Sequence, residues 1–247
     1  MIRAVIFDLD NTLTDFMKMK RAAVDAAVDA MIDAGLSMSR DALQQKIYAV
    51  YESEGIEDQQ VFDKVLLKEL GYVDPKILAA GIIRYRRARE ANLFVYPRVH
   101  LTLMELVKRG IRLCVLSDAP RLPVWLRIVS LNLQNYFDFV ISFDDTGERK
   151  PSPKPFRLAL ERLGTSPAET LMVGDWAERD IAGAKKLGIR TVFARYGDCF
   201  NTGESGADVE INDITELLAI VDGKPPTAEM PLFEEKKSAK TPPGARQ

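Results

Sequence analysis

The sequence has few residues of the kinds that form disulfides or bind soft metals. Among its 247 residues are two Cys and one His. Cys114 and Cys199 are far apart and form no Cys-x-x-Cys pair, which argues against a zinc site. The shortage of cysteine favours a reducing compartment, so we expect a cytoplasmic location. We expect Cys114 to lie in the core and His100 to lie on a helix surface without a catalytic role.

An excess of charge of one sign and long apolar runs are also missing. Lys and Arg number 34 against 36 Asp and Glu, which leaves no basic excess for a nucleic acid or an anionic membrane. No apolar stretch approaches the ~20 residues that span a bilayer, and no signal peptide is evident. Glycine-rich dinucleotide and phosphate-loop motifs are absent. We expect no nucleic-acid or membrane partner, and a monomer or homodimer.

Five short apolar runs predict strands that are buried on both faces. Segments with helical spacing separate the later runs, and this alternation indicates parallel strands joined by crossover helices. The sequence therefore predicts an α/β fold with a Rossmann-like parallel sheet core, and a mixed α+β domain is the alternative. The predicted strands are Ala4 to Phe7, Leu113 to Leu116, Phe139 to Ile141, Leu171 to Val173 and Thr191 to Ala194.

The alternation stops after the first strand. Four segments with helical spacing follow, at about 17–34, 40–52, 59–70 and 75–91, with glycines between them. We predict a helical cap domain at 15–96, inserted into an α/β core domain made of 1–14 and 97–222. Residues 223–247 are rich in Pro, Lys, Glu and Gly, a composition that predicts a disordered C-terminal tail.

Polar residues follow the predicted strands at the points where the strands end. The carboxyl ends of parallel strands meet at one edge of a sheet, where ligands bind. A single Asp at such a point commonly caps a turn or a helix. Several carboxylates from different strands would repel one another without a cation, and oxygen ligands favour Mg²⁺. The residues in these positions are Asp8, Asp10 and Thr12, then Ser117 and Asp118, then Lys150, then Asp175 and Asp180.

Lys150 and Ser117 add a cation and a hydroxyl group to the same predicted edge. Such groups hold a phosphoryl group while negative charge spreads over its oxygens. Taken separately, a Lys before Pro is ordinarily solvated and a Ser after a strand ordinarily caps a helix. Beside a magnesium site, they are groups of the kind that phosphoryl transfer needs.

Four segments of the chain resemble the motifs of the haloacid dehalogenase superfamily. They occur in the family's order at 8–13, 115–118, 150–156 and 174–180. The predicted helical insertion lies where subfamily I carries its first-position (C1) cap, and the resemblance covers about residues 1–222. It implies a magnesium-dependent phosphatase that hydrolyses a small phosphorylated metabolite through an aspartyl-phosphate intermediate.

The resemblance also assigns roles to individual residues. It implies that Asp8 is the nucleophile, Asp10 is the general acid and base, and Lys150 takes part in catalysis. Thr12, Ser117 and Asp118 would contact the phosphorylated substrate. Mg²⁺ would be bound by Asp8, the main-chain carbonyl of Asp10 and Asp175, with Asp180 supporting the site. Dehalogenating relatives lack the second acid of the first motif, so Asp10 favours phosphate chemistry.

Other interpretations of the sequence stay open. A phosphomutase would carry the same four motifs, and a receiver-like regulatory domain also places carboxylates at strand ends. The insertion and Asp10 argue against the regulatory domain. Asn11 and Trp176 replace the Gly and Ser of many relatives, with an unknown effect on specificity. The cationic run at 84–89 could line the cleft between cap and core, although we expect a solvated helix face.

Overall fold

The computed structural model describes residues 1–226, and it contains one parallel sheet of six strands in the order β3-β2-β1-β4-β5-β6. The sheet confirms the predicted Rossmann-like α/β core. All five predicted strands are present, and β6 is an additional strand at the edge of the sheet. The strands are β1 (Ala4–Phe7), β2 (Arg112–Leu116), β3 (Phe139–Ile141), β4 (Thr170–Gly174), β5 (Arg190–Ala194) and β6 (Val209–Ile211).

The central strand β1 is buried completely and joins two apolar layers. Because side chains alternate along a strand, Val5 and Phe7 belong to the cluster on one face. Ala4 and Ile6 belong to the cluster on the other face. Helices cover both faces, namely α5 (Val99–Lys108), α6 (Arg121–Ser130), α7 (Phe143–Thr146), α8 (Pro153–Leu163), α9 (Ala182–Lys185) and α10 (Glu216–Val221). The sheet is therefore the buried centre of the α/β core.

Four helices are inserted between β1 and α5, close to the predicted positions. They are α1 (Phe16–Asp33), α2 (Arg40–Glu54), α3 (Val61–Leu70) and α4 (Pro75–Ala91). Their apolar faces form a separate hydrophobic cluster that includes Met31, Leu43, Ile47 and Leu66. The helices begin at suitable capping residues: the Asp15 side chain accepts from Lys18 N at the start of α1, and Asp74 caps α4 before Pro75.

The chain leaves and re-enters the core at adjacent points. Thr14 and Val95 form an antiparallel bridge, and the main-chain N–H of Tyr96 donates to the carbonyl of Leu13 (3.0 Å). These paired connections and the separate apolar cluster support our proposal that 15–96 is a cap domain on a core of 1–14 and 97–222. The predicted tail lies outside the described residues from 227 onward.

Cys114 and His100, for which we predicted no catalytic role, have defined positions in the fold. Cys114 is buried in β2, as predicted. His100 on α5 is half-buried, and its Nδ1 lies 3.3 Å from the hydroxyl of Tyr136, so it is less exposed than we expected. Within residues 1–226, no helix has both the length and the apolar composition needed to cross a membrane.

Candidate active site

Three buried carboxylates meet at the carboxyl edge of the sheet. Asp8 follows β1 and Asp175 follows β4, and these strands are paired with Phe7 opposite Val173. Asp180 lies in the helical turn after β4. One oxygen from each of Asp8, Asp175 and Asp180 lies within 4.8 Å of the others. The parallel topology thus brings together three residues that the sequence placed at one edge.

Lys150 lies inside this acidic cluster. Its Nζ is 2.5 Å from Asp8 Oδ1 and 2.6 Å from Asp180 Oδ1, and it donates to the carbonyl of Leu116. Burial lowers the pKa of Lys150, but the attraction of Asp180 and Asp8 outweighs burial and raises the pKa above its usual value. Lys150 is therefore a permanent cation in contact with the predicted nucleophile.

The carboxylates of the cluster carry more negative charge than Lys150 neutralises. Burial raises the pKa of Asp8, repulsion from Asp180 and Asp10 adds to this, and Lys150 opposes it. Burial and repulsion from Asp8 also raise the pKa of Asp175 well above its usual value. A cluster of oxygen donors with uncompensated charge fits a hard divalent cation such as Mg²⁺. The ligand role of the Asp10 carbonyl stays a prediction.

The predicted phosphate-holding residues Thr12 and Ser117 both have hydrogen-bond partners. Thr12 Oγ1 donates to Asp175 Oδ1 (2.9 Å), and Ser117 Oγ accepts from the main-chain N–H of Ala119 (3.2 Å). Both side chains are buried. Asp118 binds the loop of Lys150, because its Oδ1 accepts a hydrogen bond from the main-chain N–H of Lys150 (2.8 Å). Its position indicates that Asp118 holds the loop of Lys150, while contact with substrate stays a prediction.

The carboxylate of Asp10 lies beside an arginine of α6. Asp10 Oδ2 is 3.1 Å from Arg127 Nη2, and Arg127 Nη1 donates to Glu57 Oε1 (2.7 Å). Burial raises the pKa of Asp10 to about 6, and Arg127 opposes this shift. Sequence reasoning missed Arg127 and Glu57. The available signal was a single cation within an otherwise apolar stretch, Val124 to Val129.

Asn11 and Trp176, which depart from the family pattern, each contact neighbouring elements of the structure. Asn11 has a φ of 60°, in the left-handed region that Gly adopts easily and Asn tolerates. Its Oδ1 accepts from the main-chain N–H of Met17 (3.0 Å), which ties the loop to α1. The ring of Trp176 packs against Phe200, with centroids 4.4 Å apart, and the guanidinium of Arg179 lies 3.7 Å from its centroid.

The loop after β5 approaches the loop after β1 so closely that it requires glycine. A Cβ on Gly197 would lie 1.6 Å from the main-chain oxygen of Asn11. Gly174 has a similar role beside the cluster, because its Cβ would lie 2.4 Å from the Asp180 carboxyl group. Both glycines therefore allow close packing around the site.

A cavity of 590 Å³ lies between the inserted helices and α6. Arg127 lines it together with Phe16, Lys20, Tyr85 and Leu122, among others. The cationic run at 84–89 fits in part a lining of the cleft and in part a solvated helix face. Arg86 and Arg89 line the cavity, and Arg84, Arg86 and Arg87 are exposed on α4. The expected solvated face thus describes only part of the run.

Known proteins share both the sequence and the fold. Residues 2–188 match the profile of the haloacid dehalogenase-like hydrolases. Glyceraldehyde 3-phosphate phosphatase of Methanocaldococcus jannaschii is 34% identical over 224 residues, which cover 90% of this chain and 97% of that protein. Phosphoglycolate phosphatase of Escherichia coli is 31% identical over 239 residues, covering 88% and 91%.

Among solved structures, a phosphatase of this superfamily from Thermococcus onnurineus is similar, with a TM-score of 0.68 and 28% identity. The match covers 90% of this chain and 99% of that one. The acidic cluster at the edge of the parallel sheet, the four motifs and the profile match agree with one another. The chain belongs to the haloacid dehalogenase-like hydrolase family.

Proposed function

We propose that this chain is a magnesium-dependent phosphatase that hydrolyses a small phosphorylated metabolite through an aspartyl-phosphate on Asp8. The observation that carries the proposal is the buried cluster of Asp8, Asp175 and Asp180 with the Lys150 ammonium 2.5 Å from Asp8. This arrangement joins a carboxylate nucleophile to a fixed cation.

The first half of the reaction transfers the phosphoryl group to the enzyme. An Asp8 oxygen forms a bond to phosphorus while the bond between phosphorus and the leaving oxygen breaks. Lys150 offsets the negative charge of the phosphoryl oxygens, and protonated Asp10 donates a proton to the leaving oxygen. Bound Mg²⁺, held by Asp8, Asp175 and the Asp10 carbonyl, would supply further charge neutralisation.

The second half releases phosphate. Asp10, now ionised, accepts a proton from a water molecule as the water oxygen forms a bond to phosphorus. The Asp8–phosphorus bond breaks, which restores the Asp8 carboxylate and leaves Asp10 protonated for the next cycle. Thr12 and Ser117 provide hydroxyl groups near the phosphoryl oxygens. Asp180 supports Lys150 through their 2.6 Å contact.

The names of the relatives guide the choice of substrate. Relatives named glyceraldehyde 3-phosphate phosphatase match 90–91% of this chain at 30–34% identity, and relatives named phosphoglycolate phosphatase match 88% at 31–32%. We therefore propose a two- or three-carbon phosphate monoester, with glyceraldehyde 3-phosphate tested first. The 590 Å³ cavity is lined by Arg127, whose Nη2 lies 3.1 Å from Asp10 Oδ2, and we propose that it holds the leaving group.

The proposal is tested by measuring free phosphate released from glyceraldehyde 3-phosphate, phosphoglycolate, a hexose phosphate and an aryl phosphate. We expect release with Mg²⁺, loss of release after exhaustive chelation, and recovery when Mg²⁺ is restored. Transfer of phosphate between sugar positions without release would identify a phosphomutase. Binding of phosphate esters without turnover would identify a regulatory domain, and undiminished turnover after chelation would contradict the metal requirement.

A further inference from the structure

Arg127 is a buried cation that the proposed reaction does not use. Its side chain extends from α6 and is 8% exposed, and the guanidinium carbon lies 5.0 Å from the ring centre of Phe16. Burial of an arginine is costly unless carboxylates compensate its charge. Arg127 has two such partners, Asp10 and Glu57, which come from two separate segments that both precede it in the chain.

The two partners belong to different parts of the molecule. Asp10 lies in the loop after β1, whereas Glu57 lies in the inserted segment between α2 and α3. Arg127 Nη1 donates to Glu57 Oε1 at 2.7 Å, and Nη2 lies 3.1 Å from Asp10 Oδ2. A planar guanidinium holds two carboxylates in a fixed relation, which a flexible lysine cannot do. Arg127 therefore links the proposed acid and base to the insertion.

The two oxygens of Asp10 have different surroundings. Oδ2 lies 3.1 Å from Arg127 Nη2 in an ion pair without hydrogen-bond geometry, whereas Oδ1 has no hydrogen-bond partner among the described residues. An ion pair to one oxygen disfavours rotation of the carboxylate away from the cation, and the other oxygen is available to give or take a proton. The ion pair thus restricts the rotation of Asp10 without occupying the whole carboxylate.

We propose that Arg127 is a positioning residue that orients the Asp10 carboxylate for proton transfer, and that Glu57 completes this arrangement only when the insertion is docked on the core. The inference rests on the proposed phosphatase function. It makes the rate of the proton-dependent step sensitive to a contact between the insertion and the core. A leaving group that needs no proton does not depend on the orientation of Asp10 in the first step, the transfer of the phosphoryl group to Asp8.

The experiment compares the first turnover of an alkyl phosphate, glycerol 3-phosphate, with that of an aryl phosphate, p-nitrophenyl phosphate, by rapid quench with Mg²⁺ present. In Arg127→Met, we expect the alkyl rate to fall on the order of tenfold more than the aryl rate, because only the alkoxide needs a proton. KM for glycerol 3-phosphate should change little. Arg127→Lys should recover part of the alkyl rate.

Glu57→Gln tests the part of the inference that concerns the insertion. The amide keeps the length of the side chain and can still accept a hydrogen bond, but it has no charge. We expect a smaller, selective loss of the alkyl rate. If Arg127→Met does not fold, Arg127→Lys and the double variant Arg127→Met/Glu57→Gln, which removes both charges, give the same comparison.

Lys46→Met is the control. Lys46 is a cation of α2 whose Nζ donates to Glu69 Oε1 of α3 at 2.7 Å, and it is not among the residues that line the cavity. The variant therefore removes an ion pair within the insertion that does not involve Asp10. If positioning of Asp10 is specific to Arg127, this control should change the alkyl and aryl rates by the same factor.

Each contrary outcome has a distinct meaning. Equal losses for both substrates in Arg127→Met would show a merely structural role and overturn the inference. A raised KM for glycerol 3-phosphate with unchanged first-turnover rate would show that Arg127 binds the leaving group, which also overturns it. Unchanged rates in Glu57→Gln would overturn the part of the proposal in which Glu57 of the insertion helps to position Asp10. An inactive wild-type protein would instead refute the proposed function itself.

Discussion

The hydroxyl of Tyr196 donates a hydrogen bond to the main-chain carbonyl of Thr12 at 2.9 Å. Tyr196 follows β5, and its ring packs edge-on against Tyr96, with centroids 4.9 Å apart. One side chain therefore contacts both the loop after β1 and Tyr96, where the insertion returns to the core. This contact positions Thr12 from outside the acidic cluster.

Tyr196→Phe should test the value of this hydrogen bond. The ring packing is kept, but the Thr12 carbonyl loses its donor, which should cost about 1 kcal/mol of unfolding free energy. For a chain of this size, we expect a fall of roughly 2–4 °C in melting temperature. Tyr72→Phe, at an exposed residue, is the control. Equal melting temperatures for both variants would show that the bond contributes nothing.

Asp8→Asn should abolish turnover and leave the fold intact. The amide is nearly isosteric with the carboxylate, but it cannot attack phosphorus. We expect no detectable phosphate release, an unchanged circular dichroism spectrum, and weaker protection from heat by Mg²⁺ because a charged ligand is lost. Retention of about a tenth of the wild-type rate would remove Asp8 as the nucleophile.

Asp10→Asn should separate the two halves of the reaction. The variant keeps the side-chain shape but exchanges no proton, so an alkyl phosphate is slowed in both halves. An aryl phosphate has a good leaving group and should give a burst of phenol followed by slow turnover, with phosphate trapped on Asp8. Mass spectrometry of the quenched protein checks for the phosphoenzyme. Equal slowing of both substrates without a trapped intermediate would refute the assignment of Asp10.

The raised pKa of Asp10 predicts a pH-dependent cost to stability. Burial raises the pKa from 3.8 to about 6, so the folded chain binds this proton more tightly than the unfolded chain. The unfolding free energy therefore falls as pH rises between these values and the contribution stays constant above them. Asp10→Asn removes this cost, so its stability relative to wild type should rise by ~2 kcal/mol across the window.

Urea unfolding of the metal-free proteins at about pH 4, 5, 6 and 7, followed by tryptophan fluorescence, measures this difference. The comparison cancels the titration of groups that do not interact with Asp10. Asp8 does not cancel, because Asp10 raises its pKa, and loss of this repulsion in the variant changes the difference in the same direction. A constant difference between the variant and the wild type, or one that decreases with rising pH, would contradict the raised pKa of Asp10.

The sequence was most informative where residue pattern and topology act together. The apolar run before Asp8 predicted β1 with the observed bounds, Ala4–Phe7, because a central parallel strand must be apolar on both faces. The same topology required Asp8 and Asp175 to meet, since their strands are neighbours. The four inserted helices were also predictable, because each has clear turn or capping signals at its ends.

Features that depend on pairings distant in the chain were not predictable. Strand β6 has only three residues with Glu210 in the middle, so its pattern does not differ from that of a loop. The contact of Arg127 with Asp10 and Glu57 joins three separate segments and follows no motif. The bond from Asp118 to the Lys150 main chain depends on the path of a loop that local propensity does not specify.

The central position of β1 in the sheet also constrains the order in which the parts of the chain can fold during synthesis. The strand pairs with Arg112–Leu116 and Thr170–Gly174, both of which leave the ribosome after the inserted helices. Helices with local contacts form quickly, whereas distant strand pairing is slow. The insertion can therefore complete its own apolar cluster while β1 still waits for its neighbours. Chains truncated near residue 110 and released from the ribosome should consequently hold a protease-resistant helical fragment attached to an unpaired, protease-sensitive first strand.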